Sequence, residues 1–143
     1  MTGISYYESR PGRVACTAEE VFNFVTDIRN FEQFIPQGTI TNWLAEKEFC
    51  SFDVTMLGKV KLLLIEKTMY TRAGYSGDAM KKNDFSLILN ISDIGYGTAE
   101  VKVSLNVDLN PMLKILASEP IQQFLEKLIN EMEHFKGWKN TIE

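Results

Sequence analysis

The stretch that decides the fold runs from Thr98 to Phe135, TAEVKVSLNVDLNPMLKILASEPIQQFLEKLINEMEHF. Its first part alternates cleanly, with Ala99, Val101, Val103, Leu105 and Val107 set against Glu100, Lys102, Ser104, Asn106 and Asp108. That is a strand with one dry face and one wet face. The period changes at Asn110-Pro111. Asn110 is a good N-cap, and Pro111 suits the first helical position because its missing amide costs nothing there. Leu113, Leu116, Ile121, Phe124, Leu125, Leu128, Met132 and Phe135 then form the apolar face of a long helix. Pro120 predicts a kink near Ser118-Glu119, with a short segment before it and a longer one after it to about Trp138. An apolar helix that follows half-dry strands must lie against their sheet.

Upstream the same alternation recurs. Phe85, Leu87, Leu89 and Ile91 share one face, after a polar turn at Lys81-Lys82-Asn83-Asp84 and a shorter, Gly-interrupted strand from Tyr75 to Met80. Lys59 to Thr71 carries Val60, Leu62 and Leu64 on one side, but Leu63 and Ile65 on the other, so it is either covered on both faces or bulged near Glu66. Phe49 to Leu57 places Cys50, Phe52, Val54 and Met56 together, and Thr39 to Glu46 reads as one more strand. Ile4 to Cys16 is extended but broken at Arg10-Pro11-Gly12-Arg13.

Two short helices separate that first strand from the rest. Thr17-Ala18-Glu19-Glu20 is a capping box, followed by a stripe of Val21, Phe24, Val25 and Ile28. Asn30 can cap a second helix with Phe31, Phe34 and Ile35 before Pro36-Gln37-Gly38 ends it. This pair is not a DNA-reading motif, because its second helix offers no basic or amide row to base edges.

Composition limits the partners. A chain of 143 residues fits one domain over residues 1–143, and 45% hydrophobic with 24% charged residues is ordinary for a folded globular protein. Net charge is −4, with basic residues paired only at Lys59/Lys61 and Lys81/Lys82, so nucleic acid is not expected as a partner. The N-terminal residues lack a signal-peptide pattern, and Leu62 to Ile65 is far too short for an integral membrane segment, which needs roughly 20 apolar residues. A cytoplasmic protein is expected, monomer or homodimer, with transient membrane contact compatible with this composition. Cys16 and Cys50 are expected as buried, reduced thiols.

The order of one strand, two small helices, a run of strands and a long closing helix, with Val21-Phe22-Asn23-Phe24-Val25-Thr26-Asp27 leading to Phe34-Ile35-Pro36, resembles the Bet v 1-like superfamily, also called START-like or SRPBCC. Its pattern is most similar to the polyketide cyclase/dehydrase and lipid transport, coenzyme Q-binding and carbon monoxide dehydrogenase-related branches. The resemblance implies an α+β helix-grip fold, a curved seven-stranded antiparallel sheet gripping the closing helix, with a cavity between them for a small hydrophobic or amphipathic ligand such as a lipid, quinone or polyketide-like molecule. The implied lining is Phe24, Phe34, Phe52, Val54, Met56, Leu62, Leu87, Leu89, Val103, Leu105, Phe124, Leu128 and Met132. Alternating apolar residues first of all signal burial, so the same set would also make a filled core. Met56, Met69, Met112 and Met132 suit an adaptable pocket or ordinary gap-filling alike.

No catalytic residue stands out. His134 is the sole histidine and lies near a helix end, where it complements the dipole. Cys16 and Cys50 lack metal-ligand spacing, so no metal and no cofactor is expected. In the resemblance Asp27 takes the place of an acid that braces or caps the next helix. Gly95-Tyr96-Gly97 is a turn between strands rather than a phosphate loop. Glu66, Asp78, Tyr70, Tyr75 and Tyr96 remain as polar groups able to enter a cavity. One of them pointing into an enclosed pocket would favour a cyclase or dehydrase, an all-apolar pocket would favour carriage, and a filled core with an exposed apolar patch would favour a regulatory interaction domain.

Overall fold

The computed structural model describes residues 3–35, 38, 40–54, 58–79 and 83–139. The chain forms β1 (Gly3–Glu8), β2 (Gly12–Val14), α1 (Ala18–Val25), a 3-10 helix (Ile28–Phe34), β3 (Ile40–Glu46), β4 (Phe49–Val54), β5 (Gly58–Thr68), β6 (Arg72–Ala79), β7 (Asn83–Gly95), β8 (Thr98–Leu109) and α2 (Pro111–His134). One curved antiparallel sheet runs in the order β1-β8-β7-β6-β5-β4-β3, with β2 also on β8. There are eight strands rather than seven because the break expected in the first strand divides it in two. The Ser9 amide still bonds the Val103 carbonyl, and the Ser9 hydroxyl accepts from the Val103 amide, so the chain stays tied to β8 as it changes course.

The inner face of the sheet consists of cross-strand rows. Leu62, Gly77, Phe85 and Val107 stand in register across β5 to β8, and the next row joins Leu64, Tyr75, Leu87, Leu105 and Tyr7. Gly77 has no room for a side chain, since a Cβ there would come within 2.2 Å of the Lys61 carbonyl and 2.7 Å of the Phe85 ring. The register of β5 shifts between Leu64 and Glu66, as the irregular alternation there requires. Leu63 and Ile65 consequently face outward and are exposed rather than covered by a second layer.

Four aromatic rings seal one end. Phe24 of α1, Phe34 of the 3-10 helix, and Phe135 and Trp138 beyond α2 contact one another in every pairing, with centroids 5.0 to 5.6 Å apart. The capping box of Thr17 and Glu20 starts α1, and Val21, Phe24, Val25 and Ile28 are all buried. Asn30 does not cap the second helix. Asp27 does, its carboxylate accepting from the Arg29 amide, while buried Asn30 donates through Nδ2 to the Phe24 carbonyl. The carboxylate wins the cap because it also gains the Arg29 guanidinium.

The closing helix differs from expectation in where it ends and in which residues line its buried face. It is continuous from Pro111 to His134 across Pro120 and ends short of Trp138, where Phe135 turns extended so that Trp138 can fold back into the aromatic cluster. Leu116 is 67% exposed, and Ala117, at 5%, occupies the inner position, because the buried line runs Ala117, Leu125, Ile129 and Met132. Ile129, absent from the expected stripe, packs where β2 comes closest, and a Cβ on Gly12 would lie 2.8 Å from its Cγ2.

Anchoring of α2 is uneven. Its second half is held by Arg10, which donates to Asn130 at 2.5 Å and Glu133 at 2.6 Å, while Glu133 accepts from the Arg13 amide. Its first half meets β1 through Tyr7 and Ser118, whose hydroxyl oxygens are 2.6 Å apart. Trp138→Ala should accordingly lower the unfolding free energy by about 3 to 5 kcal/mol in urea titrations. Leu116→Ala, on the exposed face, should cost less than about 0.5 kcal/mol.

Candidate functional site

The sheet face beneath α2 brings most of the expected lining together, at two levels of burial. Phe24, Phe34, Leu62, Leu89, Val103 and Met132 are fully buried. Phe24 and Phe34 belong to the closed aromatic end, so their rings are spent on packing with Phe135 and Trp138. Phe52, Val54, Leu87, Leu105, Phe124 and Leu128 are only partly buried. Met56 lies outside the described residues. The partly buried group, except Val54, packs against the core clusters together with Phe85 and Ile121, which the sequence placed on the same apolar faces but outside the implied lining.

Phe124 and Leu128 on α2, with Phe52, Leu87 and Leu105 on the sheet, are apolar side chains that retain accessible surface, whereas the aromatic end is closed. Trp43 stacks on Phe52 with centroids 5.8 Å apart and extends this surface towards β3. The polar feature here is the Tyr7–Ser118 pair, which sequence reasoning missed. In β1 the apolar Ile4 faces out and the hydroxyl residues Ser5, Tyr7 and Ser9 face in or bond inward, so a hydrophobic-in pattern selects the wrong face.

The candidate acids and tyrosines are otherwise occupied. Tyr75 is buried on the inner face, but its hydroxyl donates to the Val25 carbonyl at 2.6 Å, and burial raises its pKa well above that of an ordinary tyrosine. It closes the end of α1. Glu66 pairs with Arg72 at 3.2 Å, Asp78 is exposed, and Tyr96 is fully exposed in the β7–β8 turn. Tyr70 meets Phe22 edge to face at the β5–β6 turn. His134 is exposed and donates through Nδ1 to the Asn130 carbonyl, as a helix-end residue.

Asp27 is held below the ordinary carboxylate range by side-chain hydrogen bonds from Arg29, against the opposing effect of burial. It caps the 3-10 helix, as the resemblance implied, and also pairs with Arg29. Cys16 and Cys50 are free and buried, and burial pushes both thiols up to about 12. Among the described residues no three His, Cys, Asp or Glu side chains gather as metal ligands, and no helix is long and apolar enough to cross a membrane.

No protein-family model matches the chain, and no curated protein matches it. Solved structures do. Norcoclaurine synthase from Thalictrum flavum superposes with a TM-score of 0.67 at 9% identity, over 93% of this chain and 85% of that one. A START superfamily protein from Mycobacterium smegmatis gives 0.62 at 16% identity, over 93% and 99%. Protein Mll3558 from Rhizobium loti gives 0.64 at 8% identity, over 92% and 99%. The fold is the Bet v 1-like, START-like helix grip.

Because the folded pKa of Asp27 is depressed, its ion pair stabilises the protein above the ordinary carboxylate value of 3.8, and that contribution is lost as pH falls from there through the lowered value. Asp27→Asn keeps a capping side chain and removes the titration. Its melting temperature should be below wild type at pH 7, with the gap closing towards pH 2. Native protein should also react with a thiol reagent such as DTNB at neither cysteine at pH 8, and at both once unfolded in guanidinium.

Proposed function

We propose that this START-like chain holds a small apolar or amphipathic molecule between the inner face of the sheet and α2. The observation that carries the reading is the partial burial of Phe52, Leu87, Leu105, Phe124 and Leu128, inward-facing residues of a packed domain that keep accessible surface. Apolar surface left uncovered inside a fold gains free energy when a ligand covers it, about 25 cal/mol per Å². The Tyr7–Ser118 pair lies on the same side and would meet the polar group of an amphipathic guest.

Carriage fits these residues better than turnover. The tyrosine buried on the inner face is committed to the Val25 carbonyl, and the acids considered from sequence are capped, paired or exposed. Buried, unpaired cysteines suit a reducing compartment such as the cytoplasm.

Native mass spectrometry of protein purified from its own host, with extraction and identification of bound lipid, tests the proposal. A copurified apolar molecule is the expected result. In parallel, Leu87→Trp should weaken binding of 1-anilinonaphthalene-8-sulfonate or palmitate at least about tenfold, a loss readily measured by titration. Leu116→Trp, on the outer face of α2, should leave it unchanged. The reading fails if nothing copurifies and neither probe binds the folded protein saturably.

A further inference from the structure

A second cleft lies away from that surface, where α1 meets the 3-10 helix. It has a volume of about 510 Å³, within the roughly 300 to 1,000 Å³ typical of small-molecule sites. Its floor contains buried Phe22, Asp27 and Asn30. Lys47, from the turn between β3 and β4, and Lys67, near the end of β5, both line it, as does the exposed Met69.

Two features set its electrostatics. The negative end of α1 would repel an anion, but its carbonyls are already satisfied. Thr26 donates to Phe22, Asn30 to Phe24 and Tyr75 to Val25. The Asp27 carboxylate is neutralised by Arg29, with Nε on Oδ1 at 2.9 Å and Nη2 on Oδ2 at 2.5 Å. The lysines are less engaged. Lys67 meets Glu48 only at 3.8 Å with both side chains about half exposed, an ion pair worth little. Among the described residues no ion pair holds Lys47, whose backbone carbonyl is fixed by the Ile28 amide at 2.7 Å. Two cations therefore border a recess whose floor and rim include an aromatic ring and a thioether, with the Asn23 carboxamide as a further donor.

We infer that this cleft binds a small organic anion with an apolar body, a carboxylate or phosphate monoester whose charge meets Lys47 and Lys67 and whose carbon skeleton lies on Phe22 and Met69. The site is separate from the proposed apolar site, sharing none of its residues.

The test is a heteronuclear NMR titration of the full chain with phenyl phosphate, inorganic phosphate and phenol in turn. Phenyl phosphate should shift the amides of Asn23, Thr26, Asn30, Lys47 and Lys67 saturably at about millimolar concentration, and either fragment alone should bind at least about fivefold more weakly. The double variant Lys47→Gln/Lys67→Gln, which alters exposed side chains, should retain the wild-type spectrum elsewhere and lose at least about tenfold in affinity. Leu87→Trp should bind phenyl phosphate as wild type does, which separates this site from the apolar one. Shifts that do not saturate, that survive the double substitution, or that map instead to Phe124 and Leu128 would overturn the assignment. Equal binding of inorganic phosphate would overturn it too, because the apolar floor would then contribute nothing.

Discussion

The aromatic contact among Phe24, Phe34, Phe135 and Trp138 is the constraint on which the rest of the molecule depends. These rings come from α1, the neighbouring 3-10 helix and the segment beyond α2, which lies far from both in sequence. Edge-to-face and tilted pairs add about 0.5 to 1.5 kcal/mol each beyond the area they bury. Once the rings meet, the end of α2 is fixed over the sheet, and Arg10 and Glu133 need only set its rotation. The small helices are fixed by the same contact, with Tyr75 tying the last carbonyl of α1 to the middle of the sheet.

Most of this architecture can be read in the sequence because it rests on local signals. The Thr17–Glu20 box, the Asn110-Pro111 start and the alternation from Ala99 to Val107 each depend on a few adjacent residues, and each appears where the pattern places it. Errors arise where a side-chain contact outside the repeating pattern decides. Asn30 looks like a cap until the Phe24 carbonyl claims it, and Asp27 takes the cap because Arg29 is within reach. Leu116 looks like part of the apolar stripe, yet the helix is rotated so that the small Ala117 faces β1 and β8. Trp138 continues the helical spacing on paper, but its ring gains more from the aromatic cluster than from another helical turn.

The candidate site is legible only in part, for a related reason. Alternation identifies which side chains turn inward and is silent on whether another side chain covers them. Leu87 and Leu89 are indistinguishable by pattern, yet one keeps accessible surface and the other does not. Tyr7 and Ser118 meet across 111 residues, a pairing that no local spacing encodes. The lysine-bordered cleft is likewise assembled from a turn, a strand end and two helix ends.

The uneven anchoring of α2 divides labour along a single helix. Its second half carries the cohesion of the fold, whereas Met112, Ile115 and Leu116 in its first two turns are exposed and bear little of it. Substitutions near Ile121 and Ser118 can therefore reshape the proposed apolar surface while the aromatic end keeps the chain folded. A scaffold arranged in this way relaxes the usual trade between stability and new function.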